Sequence, residues 1–292
     1  MAGLFGVRLA PYADITLLGS WPEGLAAIQQ HGLQLEGPEP QTVRLRASSD
    51  PHDCLGVRQA LVLVKAWQTE RAARQLAICL APDGLALSLQ NGLGNLEQLQ
   101  AVLGAGRTAL GVTTLGATLL GPGRVRPGGE GPITLTRQAG LESLVDVLMR
   151  AGFSVDRVDD LQGLLWGKLA INAGINPLTA LLEVPNGALL ERPDARALLI
   201  ATAQEVASVA ARQGIQLSTS EPAIFVQEVA RRTAANLSSM FQDIRRGAPT
   251  EIDAICGAVV RTAQELGMQA PLNETLWRLV RAKVHRFQGD AT

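Results

Sequence analysis

From residue 14 to residue 103 the chain alternates short apolar runs with helix-like segments, and this alternation restricts the fold more than any other feature. Asp14 to Leu18 reads as a strand, Glu23 to Gln30 as a helix, Ala60 to Lys65 as a strand, Thr69 to Leu80 as a helix, Leu85 to Gln90 as a strand and Asn95 to Leu103 as a helix. Strands separated by helices line up in parallel with crossover helices, which is the doubly wound architecture. After Ala109, β-type runs flank a glycine- and proline-rich stretch, Gly121 to Pro132, that suggests a hairpin or lid. From about Leu161 the pattern is helical almost throughout, punctuated by Pro177, Pro185, Pro222 and Pro271 as in a bundle of several helices. The 292 residues therefore divide into an α/β domain over 1–160 and an all-α domain over 161–292.

Composition excludes several function classes. A net charge of -1 with no clustered basic surface argues against nucleic acid as a partner. Cys54, Cys79 and Cys256 are odd in number and far apart, so neither a disulfide framework nor a metal-ligand spacing is visible, and a cytoplasmic location is expected. No apolar run is long enough to span a membrane, and the N-terminus lacks a signal-type pattern. His31, His52 and His285 lie outside every motif below, so the usual acid/base side chain is not expected to be the acid here.

Lysine is scarce: of 26 basic residues only Lys65, Lys168 and Lys283 are lysine. An ammonium can give up its proton when desolvated, whereas arginine stays charged, so lysines in apolar surroundings attract interest. Lys65 ends the apolar run Leu61 to Val64, and Lys168 lies in a segment, Leu164 to Leu182, that is apolar on nearly every face and should be a buried helix. Lys168, Asn172 and Asn176 recur at intervals of four and form one polar stripe on it. A buried polar stripe must be satisfied by protein groups or by a ligand, and an ammonium beside two carboxamides suits an anionic or carbonyl-bearing ligand. Pro177 is expected to end or kink the helix after Asn176. The string Gly163 to Lys168 imitates a phosphate-binding loop, but its spacing is one residue short and Leu169 stands where a hydroxyl would hold magnesium. Lys283, beside Arg281, reads as solvated surface.

Two other clusters deserve mention. Gln90-Asn91-Gly92-Leu93-Gly94-Asn95 follows a strand and precedes a helix, which in a parallel sheet is the edge where ligands sit. Turn chemistry alone accounts for Gly92 and Gly94, while Asn91 and Lys65 at strand ends look like site residues. Asn236 to Asp243 is followed by Thr250-Glu251-Ile252-Asp253, where Thr250 could cap a helix opening on Glu251 and Asp253. At the N-terminus, Met1 to Ala10 resembles the helix that follows a G-x-G-x-x-G turn, with the preceding strand and both leading glycines missing. The spacing of Gly3 and Gly6 fits close helix packing.

Leu63 to Gln68, Asn91 to Gly94, Leu165 to Asn172 with Asn176 to Ala180, Ser238 to Ile244 and Thr250 to Asp253 together resemble the ketopantoate reductase (2-dehydropantoate 2-reductase) family, in this order and over essentially the whole chain. The resemblance implies a Rossmann-like N-terminal domain, here without its first strand and glycine-rich loop, and an all-α C-terminal domain. It also implies NADP-dependent oxidoreductase activity, reducing 2-dehydropantoate to (R)-pantoate with NADPH on the route to pantothenate and coenzyme A. Carried over by position, Lys168 resembles the catalytic proton donor and Glu251 its acidic partner. Asn91, Asn172, Asn176, Asn236 and Ser239 resemble the substrate-binding groups, and Lys65, Asn91, Ser20, Ala2 and Gly3 those on the cofactor side. Ser20 stands where the family has an arginine for the 2′-phosphate, so NADH stays open beside NADPH. Two alternatives remain: a reductase of another 2-oxo acid, and an N-terminally truncated protein that binds without catalysis. If no strand precedes Met1, exposed ladder groups predict low solubility and weak cofactor affinity. The expected partner is a small 2-oxo acid, and a homodimer stays open.

Overall fold

The computed structural model describes residues 1–289, with side chains through Val284; the His285 side chain lies outside the described residues. The described chain divides into two compact units. One comprises Met1–Val64, Gln68–Gln90 and Leu96–Leu161, the other Lys65–Trp67, Asn91–Asn95 and the chain from Gln162 onward.

The first half runs α1 (Ala2–Leu9), β1 (Thr16–Leu18), α2 (Pro22–His31), β2 (Leu33–Leu35), β3 (Gln41–Val43), β4 (Arg46–Ser48), β5 (Val57–Val62), α3 (Thr69–Cys79), β6 (Leu80–Ser88) and α4 (Asn95–Leu103). It continues through β7 (Thr108–Thr113), β8 (Ala117–Gly121), β9 (Arg124–Pro127), β10 (Ile133–Thr136), α5 (Glu142–Arg150) and β11 (Val155–Val158). The main sheet has the order β11-β10-β7-β6-β5, with β5, β6 and β7 parallel and β10 antiparallel to β7. Alternation along β6 explains why helices cover both faces. Leu85, Leu87 and Leu89 pack with Phe5 and Leu9 of α1 and Leu144, Val145 and Leu148 of α5. Ala86 points the other way, into a core with Ala73 and Leu76 of α3 and Leu99 and Leu103 of α4.

The strand and helix alternation expected over 14–103 is present, but the α/β unit holds three sheets rather than one. β1 pairs in parallel with β4 alone, and a third sheet has the order β3-β2-β9-β8. Among the described residues no ladder joins β1 to β5, so each is bonded along one edge only. The hairpin expected in the glycine-rich stretch is β8–β9. Close packing at Gly3 and Gly6 is also found: a Cβ there would come within 2.7 Å of Val125 and 2.9 Å of Leu33.

The helical unit contains α6 (Gln162–Leu182), α7 (Ala188–Glu191), α8 (Pro193–Arg212), α9 (Pro222–Arg232), α10 (Ser239–Arg245), α11 (Cys256–Glu265) and α12 (Pro271–Gly289). None of the described helices is long and apolar enough to cross a membrane. α6 lies in the core, where its Leu169, Ala173, Ile175 and Leu178 pack against Leu199 and Val206 of α8, Val226 of α9 and Val280 of α12. Contrary to expectation, Pro177 does not end α6, which runs on to Leu182. Core packing outweighs the cost of a mid-helix proline, about 3 kcal/mol. The Thr179 hydroxyl also donates to the carbonyls of Ile175 and Asn176, at 2.8 and 3.1 Å.

Lys283 is likewise not solvated surface. Its ammonium donates to the Leu181 carbonyl at 3.4 Å and to Glu183 at 2.7 Å, closing the C-terminal end of α6. Glu183 sits at φ 56°, the left-handed position that follows a helix. Lys283→Ala is expected to lower the stability of the helical unit by about 1 kcal/mol, read from chemical denaturation, because it releases both contacts.

Candidate functional site

The polar stripe of α6 is real. Lys168 and Asn172 are half-buried and Asn176 is buried, along a helix otherwise packed in the core. The Lys168 side chain retains some accessible area, yet protein atoms surround its ammonium. Desolvation therefore dominates and lowers its pKa from 10.5 to about 8, opposed only in part by the Glu251 carboxylate.

Glu251 is the point where separate stretches of chain meet. Its side chain is buried, and Oε1 accepts the backbone N–H of Ala66 at 3.2 Å. Oε2 accepts the Asn91 amide at 3.2 Å and the Lys65 ammonium at 3.4 Å. Lys65 donates more closely, at 2.7 Å, to Oδ2 of Asp243, whose Oδ1 takes the Arg246 guanidinium at 2.6 Å. Burial works against the Lys65 charge, but Glu251 and Asp243 outweigh it and hold that ammonium above its ordinary pKa.

Local folding explains why these groups converge. In the α/β unit Gln90 donates to the Val64 carbonyl at 3.0 Å and to the Thr69 hydroxyl at 2.8 Å, fixing the chain ends from which Lys65 and Asn91 continue. Gly92, at φ 83°, lies so close to the next layer that a Cβ would meet the Ala254 carbonyl oxygen at 2.4 Å. The N–H of Leu93 donates to that same oxygen at 2.9 Å. Turn chemistry therefore does not exhaust the role of Gly92: it lets the Asn91 loop dock on the segment carrying Glu251.

Thr250 does not cap a helix at Glu251, because α11 begins only at Cys256. The Glu251 carbonyl instead accepts the N–H groups of Ala254 and Ile255 in a turn that leaves its side chain facing Lys65 and Asn91. Ser238 caps α10, accepting from the Phe241 N–H at 3.1 Å, and its hydroxyl is hydrogen-bonded with that of Thr179 on α6 at 2.7 Å. That places Ser239 as the first, half-buried residue of α10 and leaves Asn236 exposed just before it. The structure thus joins Lys65, Asn91 and Glu251 by hydrogen bonds and couples Lys168 to Glu251 by charge. Among the described residues no side-chain bond ties Asn172, Asn176, Asn236 or Ser239 into this network.

Known proteins supply the context. Family profiles described as "Ketopantoate reductase PanE/ApbA" and "Ketopantoate reductase PanE/ApbA C terminal" match residues 1–140 and 160–284. A 2-dehydropantoate 2-reductase of Archaeoglobus fulgidus is 37% identical over 284 residues, covering 94% of this chain and 91% of that protein. The chain belongs to the ketopantoate reductase family. A Salmonella typhimurium member is 31% identical, covering 95% of this chain and 97% of its own. Among solved structures, a ketopantoate reductase from Ralstonia eutropha superposes with TM-score 0.90 at 31% identity, covering 97% of this chain and 94% of that one. D-mandelate dehydrogenase with NADH and anilino(oxo)acetate superposes with TM-score 0.92 at 26% identity, covering 99% and 96%.

For a member of this family a place for a nicotinamide dinucleotide must be sought in the α/β unit. Ala2, Gly3 and Ser20 line a cavity of about 210 Å³ there, with Leu17, Trp21 and Arg124. Its mainly apolar wall suits an adenine and ribose. Arg124 is engaged by Glu36 through Nε at 2.7 Å and also through Nη2. A 2′-phosphate would have to compete with that carboxylate for its cation.

Asp243, Arg246 and Gln90 were missed as site residues from sequence. For Asp243 a signal exists: it follows Met240 by three residues on a helix whose Met240, Phe241 and Ile244 are all buried, so its carboxylate falls on the inward side. Two outcomes follow. The rate of Lys168 acylation in the unliganded protein, followed by mass spectrometry, should rise with pH through a midpoint near 8. Gly92→Ala should cost more than about 2 kcal/mol of stability, through backbone strain and a clash with Ala254.

Proposed function

We propose that this protein reduces 2-dehydropantoate to (R)-pantoate, with NADPH as the hydride donor, in the cytoplasm and on the route to pantothenate. The observation that carries the reading is the desolvated Lys168 ammonium within the field of Glu251. A proton donor is most effective when its pKa lies near working pH, and burial brings this lysine there. Lys168 would give its proton to the carbonyl oxygen of the 2-oxo acid and stabilise the charge that develops on it. Glu251 would orient that lysine and accept a hydrogen bond from the new hydroxyl. Asn172, Asn176, Asn236 and Ser239, which no side chain among the described residues ties into the network, would hold the substrate's carboxylate and hydroxyl.

The dinucleotide, when bound, supplies the hydride. Ala2, Gly3 and Ser20 would border its adenosine half, and Lys65 and Asn91 its reactive half. Ser20 can hydrogen-bond a 2′-phosphate without neutralising it, so NADH is the alternative donor. The similarity to D-mandelate dehydrogenase, solved with an oxoacetate derivative, supports a second reading in which another 2-oxo acid is the substrate.

Oxidation of NADPH and of NADH, followed by absorbance with 2-dehydropantoate and a panel of 2-oxo acids, tests both readings. 2-Dehydropantoate should give the highest kcat/KM; no turnover with it would refute the first reading, and preferred turnover of another acid would establish the second. Lys168→Arg should lose about 10²-fold or more in kcat, since it keeps charge but cannot donate the proton. The basic limb of the kcat profile should fall as pH rises through about 8, because the acid must be protonated. Lys168→Met should abolish turnover yet raise the unfolding midpoint at neutral pH. Below pH 8 the folded wild type carries a desolvated ammonium, a cost relieved only as pH rises from about 8 towards 10.5.

A further inference from the structure

We infer that Asp243 is a positioning residue: it draws the Lys65 ammonium to itself, so that the Glu251 carboxylate is left to support the charge on Lys168. The inference rests on the reading of Lys168 as proton donor and adds to it a residue that need not touch substrate.

Geometry carries the argument. Lys65 has a choice of two buried carboxylates, and the distances are unequal, 2.7 Å to Asp243 and 3.4 Å to Glu251. Asp243 is 2% exposed, and each of its oxygens holds its own cation, Lys65 on Oδ2 and Arg246 on Oδ1. It cannot drift, because α10 is capped by Ser238 and that cap is bonded to Thr179 on α6, the helix that also carries Lys168. Glu251 makes only longer contacts, all between 3.2 and 3.4 Å. The charged groups that these contacts bring together include the cations Lys65 and Arg246 and the carboxylates Asp243 and Glu251, with Lys168 in the field of Glu251. If Lys65 closed onto Glu251, it would offset the one carboxylate that favours the protonated form of Lys168. The Asp243 side chain limits this by offering Lys65 a closer partner, which keeps the Lys65 contact with Glu251 at 3.4 Å.

The test uses two variants of the full chain with opposite expected signs. Asp243→Asn lets Lys65 close onto Glu251, and the Lys168 pKa should fall by about one unit from that of the wild type. Lys65→Met removes the competing cation, and the Lys168 pKa should rise. Each is read twice: from the pH dependence of Lys168 acylation by mass spectrometry without substrate, and from the basic limb of the kcat profile. Opposite shifts, with Asp243→Asn having no further effect in a Lys65→Met background, support the inference, since direct loss of the Asp243 charge would lower the Lys168 pKa in that background too. No shift in Asp243→Asn, or shifts of the same sign in both, would overturn it. If Asp243→Asn does not fold, a Lys65→Met variant with unchanged or lowered Lys168 pKa overturns it alone. The acylation readout needs no 2-oxo acid, so failure of the proposed reaction and failure of this inference remain distinguishable.

Discussion

The buried carboxylate of Glu251 is the interaction on which the candidate site depends. A charge in such a position is tolerable only when its oxygens are satisfied, and here the donors come from Ala66, Asn91 and Lys65, stretches that the sequence separates from it by well over a hundred residues. Each donor is itself held by a specific feature. Gln90 fixes the strand ends before Lys65 and Asn91, Gly92 permits the approach to Ala254, and the turn after Glu251 delays α11 until Cys256. The Lys168 ammonium then lies in the field of a carboxylate that is already held in place.

A desolvated lysine on a core helix is a poor choice for stability. An apolar residue at position 168 would pack into α6 without the penalty that lowers the ammonium's pKa to about 8. The rest of α6 is built to tolerate it: Pro177 stays within the helix, Thr179 bonds two of its carbonyls, and Lys283 closes its end. Structural effort is thus concentrated on the helix that carries the least comfortable charge.

Much of the fold was readable from periodicity. The strands β1, β5 and β6, the helices α2, α3 and α4, and the helical second half follow from apolar spacing, which reports burial directly. The short strands β2, β3 and β4 were not readable, since three residues carry too little alternation to stand out; β2 and β3 join a sheet through the distant β9, and β4 pairs with β1. Pro177 misled because a local propensity was overridden by core packing. In the site, Lys168 was conspicuous from its apolar surroundings alone. Glu251 was not: its own neighbourhood resembled a helix cap, and only the resemblance to ketopantoate reductases singled it out. The α10 pattern places Asp243 on the inward side, but its pairing with Lys65, like the contacts of Gln90, is long-range and not encoded locally.

The central claim is that the charge of Glu251 sustains the proton on Lys168. The most direct measurement is the pKa of Lys168 in unliganded Glu251→Gln, where the carboxylate becomes a neutral isostere. The account predicts a value clearly below the wild-type value of about 8. A Lys168 pKa in that variant that is unchanged, or higher, would contradict it.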